Sequence, residues 1–380
     1  MKGYRKQSLV SLEFSPRGSA LRSTLVDPSN LGSMNQAHSN LQKSQVFINR
    51  SSKLPLQITT MAPSKLAAFD RVDFDYKTVH GQPIKTSVLI PKGLQSKSRE
   101  ARPTIVNWHG GGFVVGDRLY EGWLPQWLLD ICHTSSALFI APDYRLLPEA
   151  TAAEVLEDVE DFWHWMRDEL PTLTSTWNAF PDLARVACTG QSAGGYLAVQ
   201  SALLFPDLSN IKVIASMGGS LCTDIPECRV PGPRVILGKR PPPPGKAESI
   251  IRAYMRNIKP QAMRTSGDVM EMWNFLTCVL QQAYLSRWLR AGGKKELDVM
   301  KVLGDAKALP PIWLLHGNQD SVVPPKCSTG FVEGLNNRFP SSPVLLTLRD
   351  GDHGFEASIR GNEGWIQEGV EFIKGRWLQE

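Results

Sequence analysis

The segment RVACTGQSAGGYLAVQSALL (residues 185–204) decides how the chain reads. Residues 185–189 form a short apolar run, the pattern of a strand buried on both faces. Residues 192–204 read as a helix. Between the two stands Gly190-Gln191-Ser192-Ala193-Gly194, so a serine sits on a sharp strand-to-helix turn. Such a turn strains the serine backbone, lifts Oγ clear of the sheet and needs small neighbours where chains pass closely. It also puts Ser192 at a helix N-terminus, where partial positive charge favours a developing anion. The five-residue match is weak alone, but the strand before it and the helix after it make Ser192 a candidate nucleophile.

Outward from this segment, similar apolar runs recur at 103–108, 137–142, 211–218, 311–317 and 343–348. Helical patterns separate most of them, at 123–133 and, most clearly, at 152–170, where Val155, Val159, Phe162, Met166 and Leu170 share one stripe. Strand–helix alternation of this kind predicts a mostly parallel sheet with helices on both faces. Residues 71–79 and 84–90 alternate around His80-Gly81-Gln82-Pro83 and predict an antiparallel hairpin at one edge. The alternation breaks between 218 and 311. There a Pro-rich loop (238–246) and helical segments near 248–258 and 268–290 predict a cap insertion over about 221–305. Met270, Met272, Trp273, Phe275, Leu276 and Trp288 in that insertion suggest an apolar or aromatic ligand.

Trp108-His109-Gly110-Gly111-Gly112-Phe113 follows the run at 103–108. Its backbone N–H groups can hold the oxyanion of an acyl-transfer intermediate, with Gly111, Gly112 and Ala193 as donors. The glycines fit neither a Walker loop, which needs Gly-Lys-Ser/Thr, nor a dinucleotide loop. His353 lies in a glycine-flanked loop after the last strand, where a general base belongs. His164 falls inside a helix and His38 in the N-terminal tail, while His109 and His316 suit loop-holding bonds. Asp320, in the loop after 311–317, is placed to orient the imidazole; Asp350, Asp352 and Asp305 compete for that role.

Charge is unevenly spread. Residues 1–61 hold eight Lys/Arg and two acids, so that stretch is +6 and the remaining body is −1, which together make the formal net charge of +5. This argues against a nucleic-acid face on the body. The serine-rich basic stretch 1–61 is expected to be a disordered extension before a catalytic body at 62–380. No run of 18 apolar residues and no secretory h-region occurs, so a cytoplasmic location is expected, with mitochondrial targeting by the extension as the alternative. The six cysteines show no metal-site spacing and are expected as free thiols, a Cys222–Cys228 bridge being the rival. The oligomeric state, a homodimer included, is open at this level.

Five motifs in order, HGGGF (109–113), DYRLLPE (143–149), GQSAGG (190–195), HGNQDSVVP (316–324) and DGDHGF (350–355), resemble the hormone-sensitive-lipase-like esterases of the α/β-hydrolase superfamily. The resemblance spans about residues 65–378. It implies the α/β-hydrolase fold, with a mostly parallel central sheet of about eight strands, helices on both faces and a helical cap over the acyl pocket. It implies Ser192, Asp320 and His353 as a triad, Gly111, Gly112 and Ala193 as oxyanion donors, and Asp143-Tyr144-Arg145 as a brace for the glycine loop. One departure is Gln191, where such enzymes usually carry Asp. The chain is also similar to fungal esterases of polyketide and other secondary-metabolite pathways. The implied activity is cleavage of a carboxylic ester of an apolar or aromatic small molecule through an acyl-enzyme, without cofactor or metal. The same triad suits an arylformamidase-like amide hydrolase, or acyl transfer and polyketide release. A receptor role, as in the related plant gibberellin receptors that lack the triad histidine, is disfavoured because His353 is retained.

Overall fold

A computed structural model of the chain describes residues 64–379. The basic extension at 1–61 lies outside the described residues, as do residues 62, 63 and 380 of the expected catalytic body.

Every apolar run became a strand. The strands are β1 (Phe69–Val79), β2 (Gln82–Pro91), β3 (Glu100–Trp108), β4 (Leu138–Pro142), β5 (Ala179–Gln191), β6 (Ile211–Met217), β7 (Ile312–Gly317) and β8 (Val344–Arg349). They form one sheet in the order β1-β2-β4-β3-β5-β6-β7-β8. β1 and β2 form the antiparallel hairpin, and β2 also runs antiparallel to β4. The remaining pairs are parallel.

The density of the apolar runs has a direct cause. Side chains alternate between faces, and both faces are covered. Val106, Cys188 and Leu314 pack on one face with Phe162, Trp163 and Leu197. Ile105, Ala187 and Trp313 pack on the other with Trp127, Ile366 and Trp377. The helix Ala152–Asp168 is started by a capping box: Glu154 N–H bonds to the Thr151 hydroxyl, and Thr151 N–H to the Glu154 carboxylate.

From β3 the chain passes to β4 on one side; from β4 it returns to β5 on the other. Loops leaving β3 and β5 therefore diverge, opening a crevice at the carboxyl ends of the strands. The glycine loop, Ser192, the Asp320 loop and the His353 loop all leave strands at that edge, after β3, β5, β7 and β8.

Between β6 and β7 lie the helices Pro226–Arg229, Pro244–Arg256, Trp273–Gln281, Tyr284–Leu289 and Val299–Asp305. Ile236, Ala247, Ile251, Phe275, Leu276 and Val279 form a separate apolar cluster that includes Val114 and Val115 beside the glycine loop. Leu297, Val299, Val302 and Leu303 join the main core instead. The single helix read at 268–290 is in fact two. The Asp268 carboxylate accepts from Met270 N and Glu271 N, which holds a turn ahead of Trp273. Ala283 takes a left-handed φ of 55° and separates the two helices. There the Leu280 carbonyl accepts from Arg234 Nη2 and Ala283 N.

Candidate active site

Ser192 has φ 55° and ψ −114°, between β5 and the helix Ala193–Leu204. A non-glycine residue held there stores strain that the surroundings must enforce. Part of that enforcement is a bond from Ser192 N to Met217 O of β6, at 2.7 Å. The rest is close packing. A Cβ on Gly194 would stand 1.9 Å from Trp108 O, so the helix start rests directly on the backbone leaving β3.

That same backbone turns into the glycine loop. Gly111 has φ 103°, and a Cβ there would fall 1.9 Å from Val115 O. Its carbonyl accepts from Val114 N at 2.9 Å and Val115 N at 3.1 Å. The N–H groups of Gly111 and Gly112 bond to no other described residue, and both glycines line the cavity that Ser192 lines. Ala193 is the first residue of its helix, buried and outside the cavity wall.

Tyr144 braces the loop from behind. Its hydroxyl donates to His109 O at 2.9 Å and its ring stacks on His109 with centroids 4.3 Å apart. Asp143 accepts from Arg118 N at 2.8 Å, and Arg145 pairs with buried Asp158 at 2.9 Å. Gln191 Nε2 donates to Asn107 Oδ1 at 3.1 Å, tying β5 to β3 just before the turn.

His353 Nδ1 donates to Asp320 Oδ2 at 2.7 Å. Asp320 is almost wholly buried behind the ring and has four donors. Val322 N and Val323 N reach Oδ1 at 2.8 and 2.7 Å, and His316 Nε2 lies 3.2 Å from Oδ2. Burial alone would raise this carboxyl, but the His353 charge and the bonds from His316 and His353 outweigh it and hold it below the usual carboxylate range. Burial would likewise lower His353, but the Asp320 carboxylate overrides it and raises the imidazole above its ordinary value. The competing acids are engaged elsewhere. Asp350 is bonded to Asn318 and Gln319. Asp352 accepts from Ser321 N and His353 N, each at 2.7 Å. Asp305 pairs with Lys295. His316 is engaged by Ser328 and the Val323 carbonyl, and burial lowers His109 to about 4, which makes it a weak proton acceptor.

His353, Ser192, Gly111 and Gly112 share one cavity. Among the described residues no hydrogen bond joins Ser192 Oγ to the imidazole, a looseness common in unliganded sites. Of the insertion residues singled out in the sequence, Trp273 and Leu276 reach the wall. Met270 is 79% exposed, and Phe275 is buried against Tyr254, ring centroids 4.2 Å apart. Met272 and Trp288 also lie off the wall. Sequence reasoning missed three titratable wall residues, Cys228, Arg234 and Glu356. None lies in a motif, and only the folding of the insertion over the sheet edge brings Cys228 and Arg234 there. All six cysteines are free, and Cys228 lies against Cys327 (Sγ–Sγ 3.9 Å), not Cys222. No group of acidic, His or Cys side chains among the described residues could hold a metal ion, and no helix among them is long and apolar enough to cross a membrane.

Comparison with known proteins identifies the fold and the family. Residues 105–323 match the family model described as the alpha/beta hydrolase fold. The chain is 45% identical over 316 residues to the probable carboxylesterase M8 of a Phoma species, covering 83% of this chain and 98% of that protein. It is 47% identical over 205 residues to the probable carboxylesterase clz11 of Cochliobolus lunatus, covering 52% and 93%. Among solved structures, an esterase from Pyrobaculum calidifontis superposes with a TM-score of 0.53 at 19% identity, over 81% of this chain and 85% of that one. The chain belongs to the α/β-hydrolase family, among its hormone-sensitive-lipase-like esterases.

Proposed function

We infer that this ester hydrolase works by covalent serine catalysis. Ser192 Oγ attacks the ester carbonyl while His353 takes its proton, then returns it to the leaving alcohol. Asp320 fixes the imidazole tautomer and stabilises the imidazolium. The N–H groups of Gly111, Gly112 and Ala193 receive the oxyanion. Water then frees the acid from the acyl-enzyme by the same steps in reverse roles. The observation that carries this reading is the 2.7 Å Asp320–His353 bond on the wall that Ser192 shares with two unpartnered glycine N–H groups. The names of the two fungal relatives, both probable carboxylesterases, support the same chemistry.

The segment between β6 and β7 acts as the cap. Trp273, Leu276 and Leu280 from it, with Trp123 and Met217, make the wall largely apolar, which supports an ester with an apolar or aromatic body. The test is turnover of short-chain p-nitrophenyl esters, with fluorophosphonate labelling, by wild type and Ser192→Ala. Loss of both in the variant is expected; equal rates in the two proteins remove Ser192 from the mechanism.

A further inference from the structure

The cavity wall carries one guanidinium, Arg234, on the loop between the helices Pro226–Arg229 and Pro244–Arg256. Its Nη2 donates to Leu280 O at 2.5 Å and its Nη1 to Glu227 O at 3.4 Å. Its Nε is buried without a partner. No carboxylate among the described residues pairs with it. The nearby Glu227 carboxylate is taken by Lys326 at 2.5 Å. Glu356, the acid on the same wall, is pushed by burial above the usual carboxylate range, toward its neutral form. The Cys228 thiol faces Cys327.

A guanidinium stays charged at any working pH, and it presents five donors in a planar fork. Here two are used, both on neutral carbonyls. A half-buried charge answered only by carbonyls carries a desolvation cost that nothing in the folded chain fully offsets. An anionic oxygen group entering this mostly apolar cavity would meet a fixed positive charge, spare donors and a low dielectric, the conditions under which charge-assisted bonds are strongest.

We propose that Arg234 is a specificity residue: the enzyme takes esters that carry, away from the scissile carbonyl, an anionic oxygen group such as a carboxylate or an ionised acidic phenol on an otherwise apolar body. The inference rests on the serine-esterase reading. It also accounts for a guanidinium on the cavity wall with no carboxylate paired to it.

The test uses two matched ester pairs and the full-length enzyme. The first pair is mono-p-nitrophenyl adipate and its methyl-capped diester, with the charge on the acyl side. The second is 4-carboxyphenyl butanoate and its methyl ester, with the charge on the alcohol side. Each kcat/KM is divided by the hydroxide rate of the same ester. Wild type is expected to prefer the charged member of at least one pair by about tenfold or more, the order of one charge-assisted bond. Arg234→Gln should lower that ratio by about the same factor, and Arg234→Lys should restore part of it. General damage to the fold would lower both members of a pair together and leave the ratio intact. Absence of any preference in wild type, or an unchanged ratio in Arg234→Gln, overturns the proposal. Ser192→Ala, run on all four esters, reports separately on the nucleophile: activity retained there sinks the serine reading instead.

Discussion

Adding one methyl group at Gly194 tests the construction of the site without touching any proposed catalytic group. The Cβ of Gly194→Ala would stand 1.9 Å from Trp108 O, 2.6 Å from Trp108 C and 2.7 Å from His109 O. All three are backbone atoms at the root of the glycine loop, so no side chain can swing aside. Contacts under about 3.0 Å are essentially not tolerated in packed interiors, so the helix and the loop must separate by about 1.1 Å. Ser192 and Ala193 directly precede Gly194 on one backbone, and Gly111 and Gly112 follow His109 on the other, so the separation shifts one pair against the other. A misplacement of about 1 Å in a reacting array costs on the order of 10²-fold in rate, and overpacking costs about 1–3 kcal/mol of stability. Gly194→Ala should therefore lower kcat/KM on a p-nitrophenyl ester about 10²-fold while the protein still folds, with a lowered melting temperature. The rate of fluorophosphonate labelling should fall in parallel, since it needs the same nucleophile and the same oxyanion donors. A variant that folds with wild-type kcat/KM would show that the closeness of these two backbones is not what aligns the site.

The remaining expectations are shorter to state. The pH profile of kcat/KM should fall on the acid side with a midpoint above the ~6.5 of a free imidazole, because the base must be neutral and Asp320 raises its pKa; a midpoint at or below that value contradicts the assigned pair. Asp320→Asn should lower kcat about 10⁴-fold by freeing the wrong tautomer, and any residual acid limb should move to lower pH once the anion is gone. Tyr144→Phe should cost about 1–2 kcal/mol in urea unfolding, because the buried His109 carbonyl loses its 2.9 Å donor; an unchanged midpoint would mean that the stacked ring alone braces the loop.

The fold was legible because its signals are local and redundant. A strand covered on both faces must be apolar throughout, so Ile105 and Val106, or Ala187 and Cys188, mark β3 and β5 without knowledge of their partners. Gly190 to Gly194 and His109 to Gly112 were legible for another reason: backbone that passes within van der Waals contact of other backbone admits only glycine, so steric demand is written directly into residue type. The insertion was less readable. Its apolar residues sit on a face as a helix should place them, yet the chain breaks at Ala283, beside a Leu280 carbonyl that accepts from Arg234, 46 positions before it. Periodicity cannot register a partner so distant. The same limit hid Cys228, Arg234 and Glu356, which reach the cavity only through tertiary folding.

The choice among the acids shows where local pattern stops and geometry begins. Asp352 is the neighbour of His353 in sequence, yet adjacency turns its carboxylate toward backbone. It accepts from His353 N, from Ser321 N and from the Ser321 hydroxyl, each at 2.7 Å. The Ser321 hydroxyl in turn accepts from Leu237 N of the insertion at 2.8 Å. One carboxylate thus fastens the loop after β8 to the loop after β7, and through Ser321 to the insertion. Asp320, 33 residues from the imidazole, is left free to meet Nδ1 and has backbone donors of its own on Oδ1. The two acids divide the work: Asp352 sets where the imidazole loop lies, and Asp320 sets how the ring is turned and charged. The insertion loop, which lines the cavity at Leu237, therefore hangs on the same hydrogen-bonded knot as the loop that carries the His353 imidazole.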